Sequence, residues 1–176
     1  MAKPKLTDFK RFLAEMTEEE LRAEMLKLFS KFDQVQGFYA QELMSDSGRK
    51  AMLEEYKKKI YNQYWTRTGN PRSVSNAEVR KIIGEFEKVA IFPIEVIDLL
   101  LYRVETMTDL ASQFGGAPDA DYKASSTSFE KALKLMAENK LGAHFKDRCG
   151  EIFEASNLDY WYIEGLKDTY ENYFPK

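Results

Sequence analysis

Four acidic residues and one tyrosine recur three or four positions apart within residues 91–114, the most apolar stretch of the chain. They are Glu95, Asp98, Tyr102, Glu105 and Asp109. In an α-helix this spacing lines side chains along one face, where like charges repel by about a few tenths of a kcal/mol per pair. Solvent, basic neighbours or a cation must offset that repulsion. We call this row the acidic strip and treat it as the candidate surface for a partner.

Metal binding by the acidic strip has a further requirement. A carboxylate di-metal site in a helical bundle normally takes Glu-x-x-His motifs from facing helices. The sole histidine, His144, has Leu141 three positions before it, so the motif is absent. A metal site made only of carboxylates stays open. We favour instead that the acidic strip pairs with Lys or Arg of neighbouring helices, and our second choice is that it binds a basic or peptide-like partner. We therefore predict no metal and no cofactor.

Catalytic signatures are missing from the sequence. It contains no serine elbow, no phosphate-cradling glycine loop and no dinucleotide fingerprint around which His144 could act. The single cysteine, Cys149, rules out an intrachain disulfide and falls on the apolar side of its helical pattern. A buried thiol is the expected state of such a residue. We predict that the protein is not an enzyme.

A basic and aromatic segment, residues 57–72, is the second candidate surface. Its candidate phosphate-binding residues are Lys57, Lys58, Lys59, Arg67 and Arg72. Proteins that bind single-stranded nucleic acid combine cations for phosphates with rings that stack on bases. Lysines near the end of a helix also suit its dipole, and Tyr61, Tyr64 and Trp65 could be core residues. Because the whole chain carries a net charge of −3, nucleic-acid binding is the alternative and not the leading hypothesis.

The elements that position these residues are helices. Apolar residues recur every three or four positions in eight or nine segments, and no strand alternation persists. Pro93 fits the first turn of the central helix, and Gly115 with Gly116 ends it. We predict an all-α fold of eight or nine helices arranged as antiparallel hairpins, either a HEAT-like α-solenoid or an irregular bundle. The predicted buried arc of the central helix comprises Val96, Ile97, Leu99, Leu100, Leu101, Val104, Met107, Leu110, Ala111 and Phe114.

Two further expectations concern packing. Arg103 falls inside the apolar arc, and a buried guanidinium requires pairing and hydrogen bonds. We expect a carboxylate of the first or the last helix to meet it, or the side chain to reach solvent at the end of the arc. In the last helix we expect Tyr160, Ile163, Tyr170 and either Tyr173 or Phe174 to face the core, and Trp161 or Tyr162 to be the candidate for the outer face.

The length and composition bound the class of protein. A chain of 176 residues with 44% hydrophobic and 31% charged residues fits a single globular domain, residues 1–176. No run of about eighteen apolar residues indicates a membrane span, and residues 1–8 lack the apolar core of a secretory signal. We expect a cytoplasmic protein that does not enter membranes.

Four segments carry a resemblance to a known family. They are residues 5–21 (KLTDFKRFLAEMTEEEL), 100–105 (LLYRVE), 129–135 (FEKALKL) and 145–152 (FKDRCGEI). The chain resembles the bacterial domain of unknown function family 6155 over nearly its whole length. This resemblance implies a small bacterial all-helical protein, and it carries over no activity, ligand or site. Our leading hypothesis is a non-enzymatic protein-interaction or scaffold module whose acidic strip contacts another protein.

Overall fold

The computed structural model describes residues 5–40, 43, 45–154 and 160–175. The predicted all-α fold is confirmed. The break expected at Ser156 and Asn157 lies outside the described residues. Within them the chain forms nine helices: α1 Leu6–Ala14, α2 Glu18–Lys31, α3 Asp33–Ala40, α4 Asp46–Tyr64, α5 Asn76–Val89, α6 Pro93–Phe114, α7 Asp119–Glu138, α8 Gly142–Phe153 and α9 Tyr160–Tyr173.

The contacts divide the chain into two compact units, Met1–Met44 and Ser45–Lys176. The prediction of a single domain stays a prediction. The first unit contains α1, α2 and α3, with α2 packed on α3. Phe32 separates these two helices because its backbone is extended, with φ −127 and ψ 112. This break accounts for nine helices where the sequence left eight or nine open.

The second unit is organised around α6. This helix contacts α4, α5, α7 and α8, and α9 packs on α7 and α8. The core residues Ile97, Leu101, Val104 and Met107 have no exposed surface. The four helices that pack on α6 are one or two positions away in the chain, a pattern that fits both a HEAT-like array of hairpins and an irregular bundle. Residues of α6 are therefore well placed to meet side chains from several helices.

The ends of α6 follow from local sequence. Pro93 occupies the first turn, where its missing N–H has no intrahelical partner to lose. Gly115 adopts the left-handed conformation with φ 71 and ψ 31, which glycine reaches without a steric penalty. The Gly116 N–H then donates to the Ala111 carbonyl at 2.8 Å. The predicted start and stop of the central helix are both confirmed.

Two predicted orientations are wrong. Phe114 is 55% exposed and touches Trp65 only through tilted rings with centroids 6.0 Å apart. In α9, the predicted core residue Tyr160 is 78% exposed. Of the two candidates for the outer face, Trp161 is 57% exposed, as predicted, whereas Tyr162 is buried. The Tyr162 hydroxyl lies 2.9 Å from the Ser125 hydroxyl, a polar partner that makes burial of the tyrosine favourable.

The expectation that a carboxylate pairs with Arg103 is also wrong. Its guanidinium is 1% exposed and donates to the Tyr64 hydroxyl at 3.4 Å and to the Asn76 side-chain oxygen at 2.9 Å. It also donates to the Ala124 carbonyl and the Ser128 hydroxyl. These partners come from α4, α5 and α7, not from the first or last helix. Neutral oxygens replace the carboxylate because polar groups of these three helices converge on this one side chain.

Candidate functional site

The acidic strip begins at Glu95 in the first turn of α6. The Arg49 Nε lies 3.4 Å from the Glu95 Oε1, and the guanidinium also pairs with Asp46. The Glu95 side chain is 14% exposed. Burial raises the pKa of Glu95, and the opposing effect of Arg49 does not cancel it. A cation from α4 thus covers this end of the strip.

Asp98 follows one turn later and meets two cations. Lys57 Nζ and Arg148 Nη1 approach its Oδ1 to 3.0 Å and 2.8 Å. Burial disfavours the charged form of Lys57, but hydrogen bonds to Glu54 and Asp98 outweigh burial and raise its pKa. The same ammonium lies 5.6 Å from the centre of the Tyr102 ring. Burial raises the pKa of the Tyr102 phenol.

Glu105 is held by the same arginine of α8. Arg148 donates from Nη2 to the Glu105 Oε2 at 2.9 Å and from Nε to Oε1. Burial opposes the charged form of Arg148, but hydrogen bonds from Glu105 and Asp98 raise its pKa. A planar guanidinium fits such a two-bond contact with a carboxylate. The pairing of the strip with basic neighbours is therefore confirmed for Glu95, Asp98 and Glu105.

Asp109 lies beyond this paired region and is exposed. Its described contact is with Gln113, whose Nε2 donates to Oδ1 at 3.0 Å. Glu105 and Asp109 of α6, Glu151 of α8 and Glu154, the residue that follows α8, surround an open depression of about 450 Å³. Among the described residues, no cation forms an ion pair with Asp109, Glu151 or Glu154. We call this part of the surface the open acidic end.

A metal centre is not indicated at this depression. Within the part of the chain that the structure describes, no group of three or more His, Cys, Asp or Glu residues is arranged to hold a metal ion. His144 is exposed on α8, and its ring contacts Phe145 with centroids 4.7 Å apart. Cys149 is buried, as predicted, and burial raises the pKa of its thiol to about 12. Such a thiol is a poor nucleophile at neutral pH.

The basic segment has a different geometry from the one that base stacking requires. Lys57 is paired as described, and Lys59 lies 2.9 Å from Glu55 and 4.2 Å from the Tyr56 ring centre. Tyr64 and Trp65 are buried, which leaves Tyr61, 40% exposed, as the accessible ring of the three. Exposed cations of the segment are Lys58, Arg67 and Arg72. Nucleic-acid binding by this segment stays a prediction.

Comparison with known proteins fixes the family. A family model described as "Family of unknown function (DUF6155)" matches residues 2–173. The chain belongs to this family. Comparisons with curated proteins and with solved structures give no match. Membership of DUF6155 adds no activity, so function must be argued from the surface and the cavities.

No described helix of this DUF6155 member is both long enough and apolar enough to cross a membrane.

The sequence analysis missed Arg148 as a residue of the site, although its place between the buried residues Phe145 and Ile152 gave a signal. A long basic side chain beside an apolar stripe can lie along the helix surface and reach a neighbouring acidic face.

Proposed function

We propose that this DUF6155 member is a non-enzymatic protein-interaction module whose open acidic end binds basic side chains of a partner protein. One observation carries the proposal. Asp109, Glu151 and Glu154 gather around one depression without a cation among the described residues, while the rest of the acidic strip is paired. A cytoplasmic location and a bacterial origin belong to the same proposal.

The chemistry of the depression supports a basic protein segment as the occupant. Arg148 already neutralises Glu105, so the uncompensated charge comes from the other three carboxylates. Buried Thr108 and Ile152 line the depression below them. An arginine or lysine can lay its aliphatic stem on such a floor while its charged end meets the carboxylates. Complementary charges also favour the encounter between partners.

The test uses peptides selected from a random display library against the folded protein. We expect basic peptides to be enriched, and their affinity to fall by about ten-fold or more, roughly 1.4 kcal/mol, in the double variant Asp109→Lys with Glu151→Lys. The matched control is Glu130→Lys with Asp168→Lys, which changes the net charge equally at exposed positions of α7 and α9.

The outcomes separate a local site from a general charge effect. Retained binding in the control and loss in the double variant support the proposal. Equal loss in both variants would show that net charge alone governs binding. Selection of peptides without Lys or Arg would contradict the proposal directly. Circular dichroism of both variants establishes that the helices are intact.

A further inference from the structure

A cleft on a different side of α6 contains the buried guanidinium of Arg103. It lies between α5, α6 and α7 and has a volume of about 270 Å³. Arg80 and Gly84 contribute from α5, and Ser128 and Lys131 contribute from α7. The acidic strip plays no part in this cleft. Its chemistry is therefore independent of the interaction proposed above.

The charge of Arg103 is not neutralised by direct contact. An arginine has five N–H donors and stays protonated in proteins. The four acceptors of Arg103 are all uncharged: the Tyr64 and Ser128 hydroxyls, the Ala124 carbonyl and the Asn76 amide oxygen. One N–H on Nη2 has no acceptor among the described residues. Asp121 is reached only through the Asn76 amide. A buried positive charge at a cleft thus keeps an unused donor.

Two further cations lie where the cleft meets solvent. Arg80 is exposed and forms no ion pair with any described residue, and Lys131 pairs with Glu87. The residues that line the cleft therefore include three cations and one carboxylate, which give a net charge of +2. They are Arg80, Arg103, Lys131 and Glu87. The walls include the buried residues Ile83 and Leu100. Electrostatic attraction is stronger beside such apolar walls than in open water.

We propose that this cleft binds the phosphate group of a small ligand, with Arg103 at its base and Arg80 and Lys131 at its rim. A net charge of +2 matches a phosphate dianion better than a single carboxylate. The one unused N–H of Arg103 can donate to a phosphate oxygen, and the exposed Arg80 can add further charge-assisted hydrogen bonds. The Thr127 hydroxyl also lines the cleft, but it donates its hydrogen to the Lys123 carbonyl. Only its lone pairs remain for a ligand in the cleft, and these do not bind an anion. Arginine and lysine donors therefore carry the recognition.

Gly84 allows a test that leaves Arg103 in place. No heavy atom lies within 4 Å of the position that a Cβ on Gly84 would occupy. Gly84→Leu therefore adds a side chain at the wall of the cleft, and leucine is the better helix former. The matched control is Gly165→Leu, because Gly165 of α9 has the same open surroundings away from the cleft.

Thermal unfolding is measured in sodium phosphate, sodium acetate and sodium chloride at one ionic strength and one pH. We expect Tm to rise with the logarithm of phosphate concentration above the Kd, and to rise more in phosphate than in acetate. The Kd for phosphate obtained from this dependence should increase about ten-fold in Gly84→Leu and several-fold in Arg80→Ala, and stay unchanged in Gly165→Leu. Equal effects of phosphate and chloride, a larger effect of acetate, or equal responses of the two glycine variants would overturn the proposal.

Discussion

Arg148 of α8 holds the carboxylate of Glu105 on α6 through two of its nitrogens, with Nη2 at 2.9 Å from Oε2. The same guanidinium reaches Asp98, about two turns away on α6, with Nη1 at 2.8 Å. One side chain thus fixes α8 against the acidic strip. The contact is part-buried, so removing Arg148 should cost more than breaking a surface ion pair, because two carboxylates would stay part-buried without a cation.

We expect Arg148→Met to lower the free energy of unfolding by about 1–3 kcal/mol, because two carboxylates lose their hydrogen-bonded cation. Arg148→Lys should lose less, since it keeps the charge but cannot make the two-bond contact. Urea unfolding followed by circular dichroism measures both losses. Arg67→Met, at an exposed arginine without a described ion pair, should stay within about 0.5 kcal/mol. Equal losses at the two arginines would contradict a structural role for Arg148.

A second prediction concerns Asn76, which accepts from the Arg103 Nη2 at 2.9 Å and donates to Asp121. Asn76→Ala removes the hydrogen-bonded link between this buried cation and the Asp121 carboxylate. The cost should be about 1–3 kcal/mol, the usual penalty for leaving buried polar groups without partners. Asn62→Ala, at an exposed position of α4, is the control and should change the free energy of unfolding little. Chemical unfolding measures the free energy of unfolding of both variants, and equal losses would contradict the role of Asn76.

Because the thiol of Cys149 is buried, we expect the folded protein to lose stability at alkaline pH. Burial raises its pKa to about 12, so the folded protein keeps this proton over a pH range in which the unfolded chain has lost it. The unfolded thiol ionises near pH 8.5, and above that pH the contribution to stability falls by roughly 1.4 kcal/mol per pH unit. Cys149→Ala lacks this effect. Between pH 7.5 and about 10, the free energy of unfolding should therefore fall more in the wild type than in Cys149→Ala. A constant difference would contradict burial of the thiol.

Local signals in the sequence were sufficient to predict where helices begin and end. Ser75 accepts from the Glu78 N–H and caps the start of α5, a role that serine three positions before glutamate indicates in the sequence. Pro93 and Gly115 bound α6 in the same way. These signals act over a few residues, so a reader of the sequence needs no knowledge of the tertiary fold. The acidic strip follows from the same periodicity, because its residues share one helix.

The contacts of the strip and of Arg103 could not be predicted in this way. Arg148 is 43 positions from Glu105, and Tyr64 is 39 positions from Arg103. Such pairs depend on how the helices pack. The face of α9 was ambiguous for another reason: Tyr160 and Tyr162 are both aromatic, and only the polar partner Ser125 explains which one is buried. The cleft at Arg103 has no sequence signal because three helices form it.

The central claim is that the open acidic end, and not the paired part of the strip, contacts the partner. Its most direct test is a ¹H–¹⁵N titration of the protein with a basic peptide from the display selection. We predict that the largest chemical-shift changes fall on Asp109, Glu151 and Glu154, while Glu95 and Asp98 keep their positions. Changes centred on Glu95 and Asp98, or on residues 57–72, would contradict the claim.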